Sequence, residues 1–166
     1  MRKIVLIAHD IRSTHNVGSI LRTAEGLGLT KVYLTGYTPY PHHQTDARLP
    51  HESQKIHKQI SKTALGAEDS ALWAHKQDVS ELIARLKEDG YSIVALEQSK
   101  GSSLLPSYKP SDKVVLLLGR EVEGIAPEFI KLADTTLEIP MFGQKESFNV
   151  VQAAAMACYH IKFFPF

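Results

Sequence analysis

The sequence predicts an α/β fold built on a mostly parallel sheet, because strand-like and helix-like segments alternate from one end to the other. Three observations carry that expectation. Several short runs, Ile4 to Ala8 and Val114 to Leu118 above all, are apolar without alternation, as strands covered on both faces are. Segments between them have helical spacing, as in Val17, Ile20, Leu21 and Ala24. Glycine closes many elements, at Gly26, Gly36, Gly90 and Gly119. With 166 residues, 43% of them hydrophobic, the chain is expected to form a single domain over 1–166 that buries roughly two thirds of its unfolded surface.

Taken in order, Ile4 to Ala8 is the first strand, and a polar loop leads to a helix over Val17 to Gly26, with Asn16 as its N-cap. "KVYLTG" reads as a second strand, rich in β-branched and aromatic residues, which completes a βαβ opening. Three prolines make a loop of Tyr37 to Pro50, and "ESQKIHKQISKTAL" then forms a basic helix. A short strand is expected around Leu72 and Trp73. The next helix, "DVSELIARLKEDG", has Asp78 or Ser80 to cap it, Leu82, Ile83 and Leu86 as its apolar face and Gly90 to stop it. "YSIVALE" is the following strand. A Ser-, Pro- and Lys-rich connection leads to the buried strand Val114 to Leu118, and Pro127 suits the first turn of a short helix. The last strand, around Thr135 to Ile139, and a helix from Asn149 to about Phe163 complete the chain.

Composition narrows the function classes. The one cysteine, Cys158, excludes an intramolecular disulfide, fits a reducing compartment and sits in an Ala-rich helical stretch as a small hydrophobe. The apolar run before Asp10 is too short for a signal peptide, and no stretch approaches a membrane span, so a soluble cytoplasmic protein is expected. The net charge of +1 is unevenly placed: residues 1–62 carry 9 Lys+Arg against 4 Asp+Glu, hence +5, and residues 63–166 carry 10 against 14, hence −4. That asymmetry fits an anionic partner, although ordinary solvated faces account for it equally well.

In parallel sheets, ligands sit beyond the carboxyl ends of the strands. Three loops are placed there: Asp10 to Asn16, Gly119 to Gly124, and Met141 to Phe148. In the first, Asn16, Gly18 and Arg22 would make an anion clamp, against the plainer reading of Arg22 as a surface residue. The second supplies Glu121 and Glu123 after Gly119, where either a ligand approaches the backbone or the chain simply turns. The third, within "IPMFGQKESFNVVQAAAMACYHI", offers the Ser147 hydroxyl and the Asn149 amide at a helix N-terminus, where free N–H groups gather. Helix capping alone would explain both.

Together and in this order, "NVGSILRTAEGLG", "LLGREVEG" and "IPMFGQKESFNVVQAAA" resemble the three motifs of the SPOUT superfamily, specifically its SpoU/TrmH-type RNA ribose 2′-O-methyltransferases. The resemblance covers nearly the whole chain. It implies an α/β domain with a deep carboxyl-terminal trefoil knot, a feature that pattern reading would not propose because chains generally avoid knots. It further implies S-adenosylmethionine as cofactor, with S-adenosylhomocysteine as product, held in a cleft by Leu96, Gly119, Ile139, Met141, Ser147 and Phe148. Phe148 stands where the family usually has leucine. Arg22 is placed nearest the ribose 2′-hydroxyl, with Asn16, Glu121, Ser147 and Asn149 around it. A guanidinium stays protonated, so its expected role is electrostatic: holding phosphate and stabilising the developing alkoxide.

The chemistry implied needs no metal, and the spacing of His42, His43, His51 and His57 fits no usual zinc pattern; they read as a polar surface or RNA contact. Partners implied are structured RNA, tRNA or rRNA, and a second copy in a homodimer, with no membrane. A different class of function, a non-catalytic RNA-binding or ribosome-assembly module of the same fold, is the alternative. A Rossmann-type nucleotide-binding protein ranks last, since no GxGxxG follows the first strand.

Overall fold

A computed structural model describes residues 1–165 of the chain. Its centre is a seven-stranded sheet in which every pairing is parallel, with the spatial order β3-β2-β1-β6-β4-β7-β5. The strands are β1 (Lys3–His9), β2 (Lys31–Thr35), β3 (Trp73–Lys76), β4 (Ser92–Leu96), β5 (Ser103–Leu104), β6 (Lys113–Leu118) and β7 (Thr135–Glu138). The helices are α1 (Thr14–Gly26), α2 (Pro50–Ala64), α3 (Ala67–Ser70), α4 (Val79–Glu88), α5 (Pro127–Ile130) and α6 (Val150–Phe163). No helix among the described residues is long and apolar enough to cross a membrane.

The sheet is buried on both faces, which is why its central strands are apolar without alternation. Ile4, Leu6 and Ala8 of β1, with Val114, Leu116 and Leu118 of β6, share one core with α1, α2 and α6. Val5 and Ile7, with Val115 and Leu117, share the other with Val79, Leu82, Ile83 and Leu86 of α4 and with Ile125. The period of two along each strand sorts neighbours to opposite cores. Leu116 is fully buried in the β6 centre, so truncation to alanine would cost about 2–5 kcal/mol.

Local chemistry sets the helix starts. Asp78 caps α4 by accepting the Glu81 N–H at 3.0 Å, as its sequence position suggests. Pro50 occupies the first turn of α2, two residues earlier than the predicted Glu52, because proline at that position has no N–H to leave unpaired. Helix α1 also begins early: Ser13 is its cap, accepting the Asn16 N–H at 3.2 Å. Asn16 therefore lies inside the first turn rather than at the cap, and its amide is free for another task. The short α3, β5 and the 3-10 turn Leu105–Ser107 are absent from the sequence reading, since two to four residues carry no periodicity.

Helices α1 and α2 cross closely at Gly18. A Cβ there would press on the Thr63 hydroxyl and the Ile60 carbonyl and lie 2.9 Å from the Ala64 nitrogen, all on a rigid helix. Gly18→Ala is expected to destabilise the protein by about 1–3 kcal/mol, the usual cost of overpacking. Urea unfolding checks this through a lowered midpoint at an unchanged slope.

Candidate active site

A parallel sheet delivers the carboxyl ends of all its strands to one edge, and here that edge carries the loops after β1, β4, β6 and β7. Between the last three lies a cleft of about 270 Å³. Of the six residues expected to contact a cofactor, Leu96, Gly119, Ile139, Ser147 and Phe148 line it. Met141 does not line it; it is half-buried beyond Pro140. Phe148 is 39% exposed, so its ring forms the outer wall, whereas Phe142, at 96%, projects into solvent.

The wall made by the loop after β6 is bare backbone. A Cβ on Gly119 would sit 2.5 Å from the Gly124 carbonyl carbon and the Ile125 nitrogen, so only glycine lets the loop fold back on its own strand. The fold-back is closed by an antiparallel bridge, with the Arg120 N–H donating to Gly124 O at 3.2 Å and the Gly124 N–H returning to Arg120 O at 3.1 Å. Glu97, at the end of β4, fastens this loop by accepting the Ile125 N–H at 2.8 Å. Glu97 is a functional candidate that the sequence reading missed; its signal was an acidic residue directly after an apolar strand in line with the three loops.

Glu121 joins the first loop to the second. Its carboxylate accepts the backbone N–H of Arg12 at 3.1 Å and of Ser13 at 3.1 Å, and the Asn16 amide at 3.0 Å. Asn16 in turn accepts a long 3.4 Å hydrogen bond from the Asn149 amide, while the Asn149 carbonyl oxygen caps α6 through the Val151 N–H at 2.9 Å. Three of the five expected catalytic residues, Asn16, Glu121 and Asn149, thus form one hydrogen-bonded chain across all three loops. Ser147 stands beside it on the cleft wall. Arg22 is not in this group: it is exposed on α1, does not line the cleft and has no hydrogen bond or ion pair among the described residues. Six residues separate it from Asn16, about 9 Å along the helix axis.

A second polar cluster supports the first loop. Asp10 has a left-handed backbone, φ 55°, an uncommon conformation for a residue with a side chain. Its carboxylate accepts the Tyr37 N–H at 3.1 Å and lies 3.3 Å from His9 Nε2 and 3.9 Å from Arg120 Nε. Gly36 has no Cβ because one would collide with that carboxylate. Burial pushes the His9 imidazole below its ordinary value, outweighing the opposite pull of Asp10.

The histidines of the 37–49 loop have structural partners. Arg48 organises that loop, pairing with Asp46, donating to the Tyr40 and Pro41 carbonyls at 3.0 and 3.1 Å and lying 3.6 Å over the Tyr40 ring. His42 lies 3.1 Å from the Ser53 hydroxyl, and His43 packs edge-on against Trp73.

Comparison with known proteins yields a consistent result. The sequence model described as "SpoU rRNA Methylase family" matches residues 3–159. A tRNA (guanosine(18)-2′-O)-methyltransferase of Aquifex aeolicus is 27% identical over 95% of this chain and 68% of its own length. A 23S rRNA (guanosine-2′-O-)-methyltransferase of Neisseria meningitidis is 28% identical over 92% of this chain and 55% of its own. The AdoMet-bound rRNA methyltransferase from Sinorhizobium meliloti superposes with a TM-score of 0.81 at 23% identity, over 96% of this chain and 56% of that one, and so shares the fold. The chain spans about half to two thirds of the length of these proteins.

Glu121 also fixes how the loop junction responds to pH. Burial acts to raise its carboxyl, but the N–H groups of Arg12 and Ser13 and the Asn16 amide together outweigh burial and hold it below the usual range. A depressed folded value stabilises the fold fully above the unfolded value, about 4.3, and that stabilisation is lost as pH falls through the folded value. Glu121→Gln sets an NH₂ among N–H donors. Its stability deficit should therefore be largest near neutral pH and narrow as pH falls below the unfolded carboxyl value, about 4.3, as urea unfolding of both proteins across acidic pH would measure.

Proposed function

Because the chain belongs to the SpoU rRNA methylase family, we propose that it transfers a methyl group from S-adenosylmethionine to a ribose 2′-hydroxyl of structured RNA, either tRNA or rRNA, with residues 1–166 as its catalytic domain. The observation that carries the reading is the hydrogen-bonded chain Glu121–Asn16–Asn149, which ties three loops together at the mouth of one cleft. The relatives' own names, tRNA and rRNA guanosine 2′-O-methyltransferases, support the substrate class. A non-catalytic RNA-binding module is the weaker alternative, since it gives neither that chain nor the cleft a task.

The cleft suits the cofactor chemically. Leu96, Leu118, Leu137 and Ile139 offer an apolar floor, bare backbone runs along Gly119, and the residues around the cleft include four acids, Glu97, Glu121, Glu138 and Glu146, against one cation, Arg120. An apolar, backbone-lined site with an acidic rim fits a flat heteroaromatic base joined to a positively charged group. When bound, S-adenosylmethionine supplies an electrophilic methyl group on a sulfonium. Leu96, Gly119, Ile139, Ser147 and Phe148 would hold it.

The chain's own residues orient the nucleophile. Arg22 holds a phosphate of the RNA and stabilises the developing ribose oxyanion; it takes no proton, because guanidinium remains charged, and a phosphate oxygen or water accepts the proton instead. Ser147 and the Asn16–Asn149 pair position the ribose. Since Arg22 does not line its own cleft, the site is completed by Arg22 of a second copy, in a homodimer whose interface is the apolar face of α6 around half-buried Met156 and exposed Tyr159 and Phe163. Threading of α6 behind the loop after β6 would give the deep trefoil knot of the family. The reaction is placed in the cytoplasm.

Arg22→Ala should leave S-adenosylmethionine affinity nearly unchanged and slow methyl transfer by about a hundredfold or more, the scale of losing one preorganised contact. Arg22→Lys should restore little, since lysine lacks the planar fork. Single-turnover transfer of labelled methyl groups to total tRNA and rRNA measures both. Near-wild-type transfer by the alanine variant would return Arg22 to the role of a surface residue.

A further inference from the structure

Helix α2 carries a cationic ridge that the site does not use. His51, Lys55, Lys58 and Lys62 recur at i, i+4, i+7 and i+11 and are all exposed, so they fall on one stripe of the helix. The residues that bury α2 against α1, namely Ser53, Ile60 and Ala64, lie on the opposite side. None of these four side chains has a hydrogen bond or ion pair among the described residues, and Glu52 is the one carboxylate on α2. Self-neutralised solvated helices pair lysine with glutamate at this spacing; here the stripe has one sign throughout. It runs about 16 Å, with steps of about 4.5–6 Å at the rise of an α-helix, comparable to the spacing of successive phosphates along a nucleic-acid strand.

The ridge also has a direction. Thr63, next to Lys62, donates its hydroxyl to the His15 carbonyl at 2.8 Å, and Gly18 lies in contact with Ile60 and Thr63. His15 precedes Asn16, the centre of the loop junction. The carboxyl end of the ridge therefore abuts the candidate site, and its amino end leads away along the outer surface. We propose that the exposed face of α2, from His51 to Lys62, is a docking ridge for the phosphate backbone of the RNA substrate, guiding the strand into the loop cluster. This rests on the RNA-methyltransferase reading above, and adds to it where the substrate lies.

The test is the salt dependence of binding to total bacterial tRNA and rRNA, with S-adenosylmethionine affinity measured alongside. Against the wild type stand a ridge variant, Lys55→Gln with Lys58→Gln and Lys62→Gln, and a control that removes equal charge elsewhere, Lys100→Gln with Lys109→Gln and Lys131→Gln. Glutamine keeps the helix propensity of lysine. The ridge variant should bind RNA more weakly, with the slope of log K against log salt reduced by about one per lysine lost, while its cofactor affinity and thermal midpoint stay put. The control should keep the wild-type slope. An unchanged slope in the ridge variant, or an equal loss in the control, overturns the ridge and leaves the enzymatic reading standing; a wild-type protein that binds the cofactor but neither RNA overturns both. Phosphatidylserine vesicles form the last arm: binding lost in the ridge variant while RNA binding persists would assign the face to a membrane and overturn the proposal.

Discussion

The carboxylate of Glu121 is the interaction on which the candidate site depends. It is provided by one loop and spent entirely on another: two backbone N–H groups and the Asn16 amide at the start of α1. A helix start leaves several N–H groups without partners, and an anion placed there is favoured by both hydrogen bonding and the helix dipole. The chain supplies that anion from 105 residues further on. Because Ser13 already serves as the cap, the Asn16 side chain is released to reach across, and through it Asn149 and the start of α6 are brought into line.

Around that junction, the parallel sheet does the coarse positioning. Its strands are buried on both faces, so their order fixes which carboxyl ends are adjacent: β4, β6 and β7 flank the cleft. Finer positioning comes from contacts that tolerate no extra atoms. Gly119 folds back against Gly124 and Ile125, and a Cβ on Gly124 would collide with the Glu97 carboxylate. Rigid loops built from such contacts present backbone groups to a ligand with little ordering left to do on binding, which is the physical meaning of preorganisation.

Much of this was legible in the sequence, and the parts that were not share a cause. Buried strands such as Val114 to Leu118 announce themselves because burial on both faces demands an unbroken apolar run. That Leu96, Gly119, Ile139, Ser147 and Phe148 share one cleft, and that Asn16, Glu121 and Asn149 are grouped, follows from strand ends and loops whose spacing the fold preserves. The cap of α1 was misplaced by three residues because Ser13 and Asn16 are both good capping types and only geometry chooses between them. Met141, beyond Pro140, falls outside the cleft, and the partner of Glu97 was not legible, since it is a hydrogen bond across 28 residues. Arg22, read from the motif as a site residue, lies exposed on α1 outside the cleft, because helix register and not motif membership sets where its side chain emerges.

The edges of the sheet have a consequence of their own. Unpaired edge strands are templates for other chains, and proteins commonly shorten them for that reason. Here β5 spans two residues and β3 four, the latter under a loop locked by Arg48. Strand-to-strand growth between molecules is thus closed off at both sides. Any self-association must run through helices, where matched side chains rather than generic backbone ladders select the partner, so crowding at high concentration should favour specific pairs over fibres.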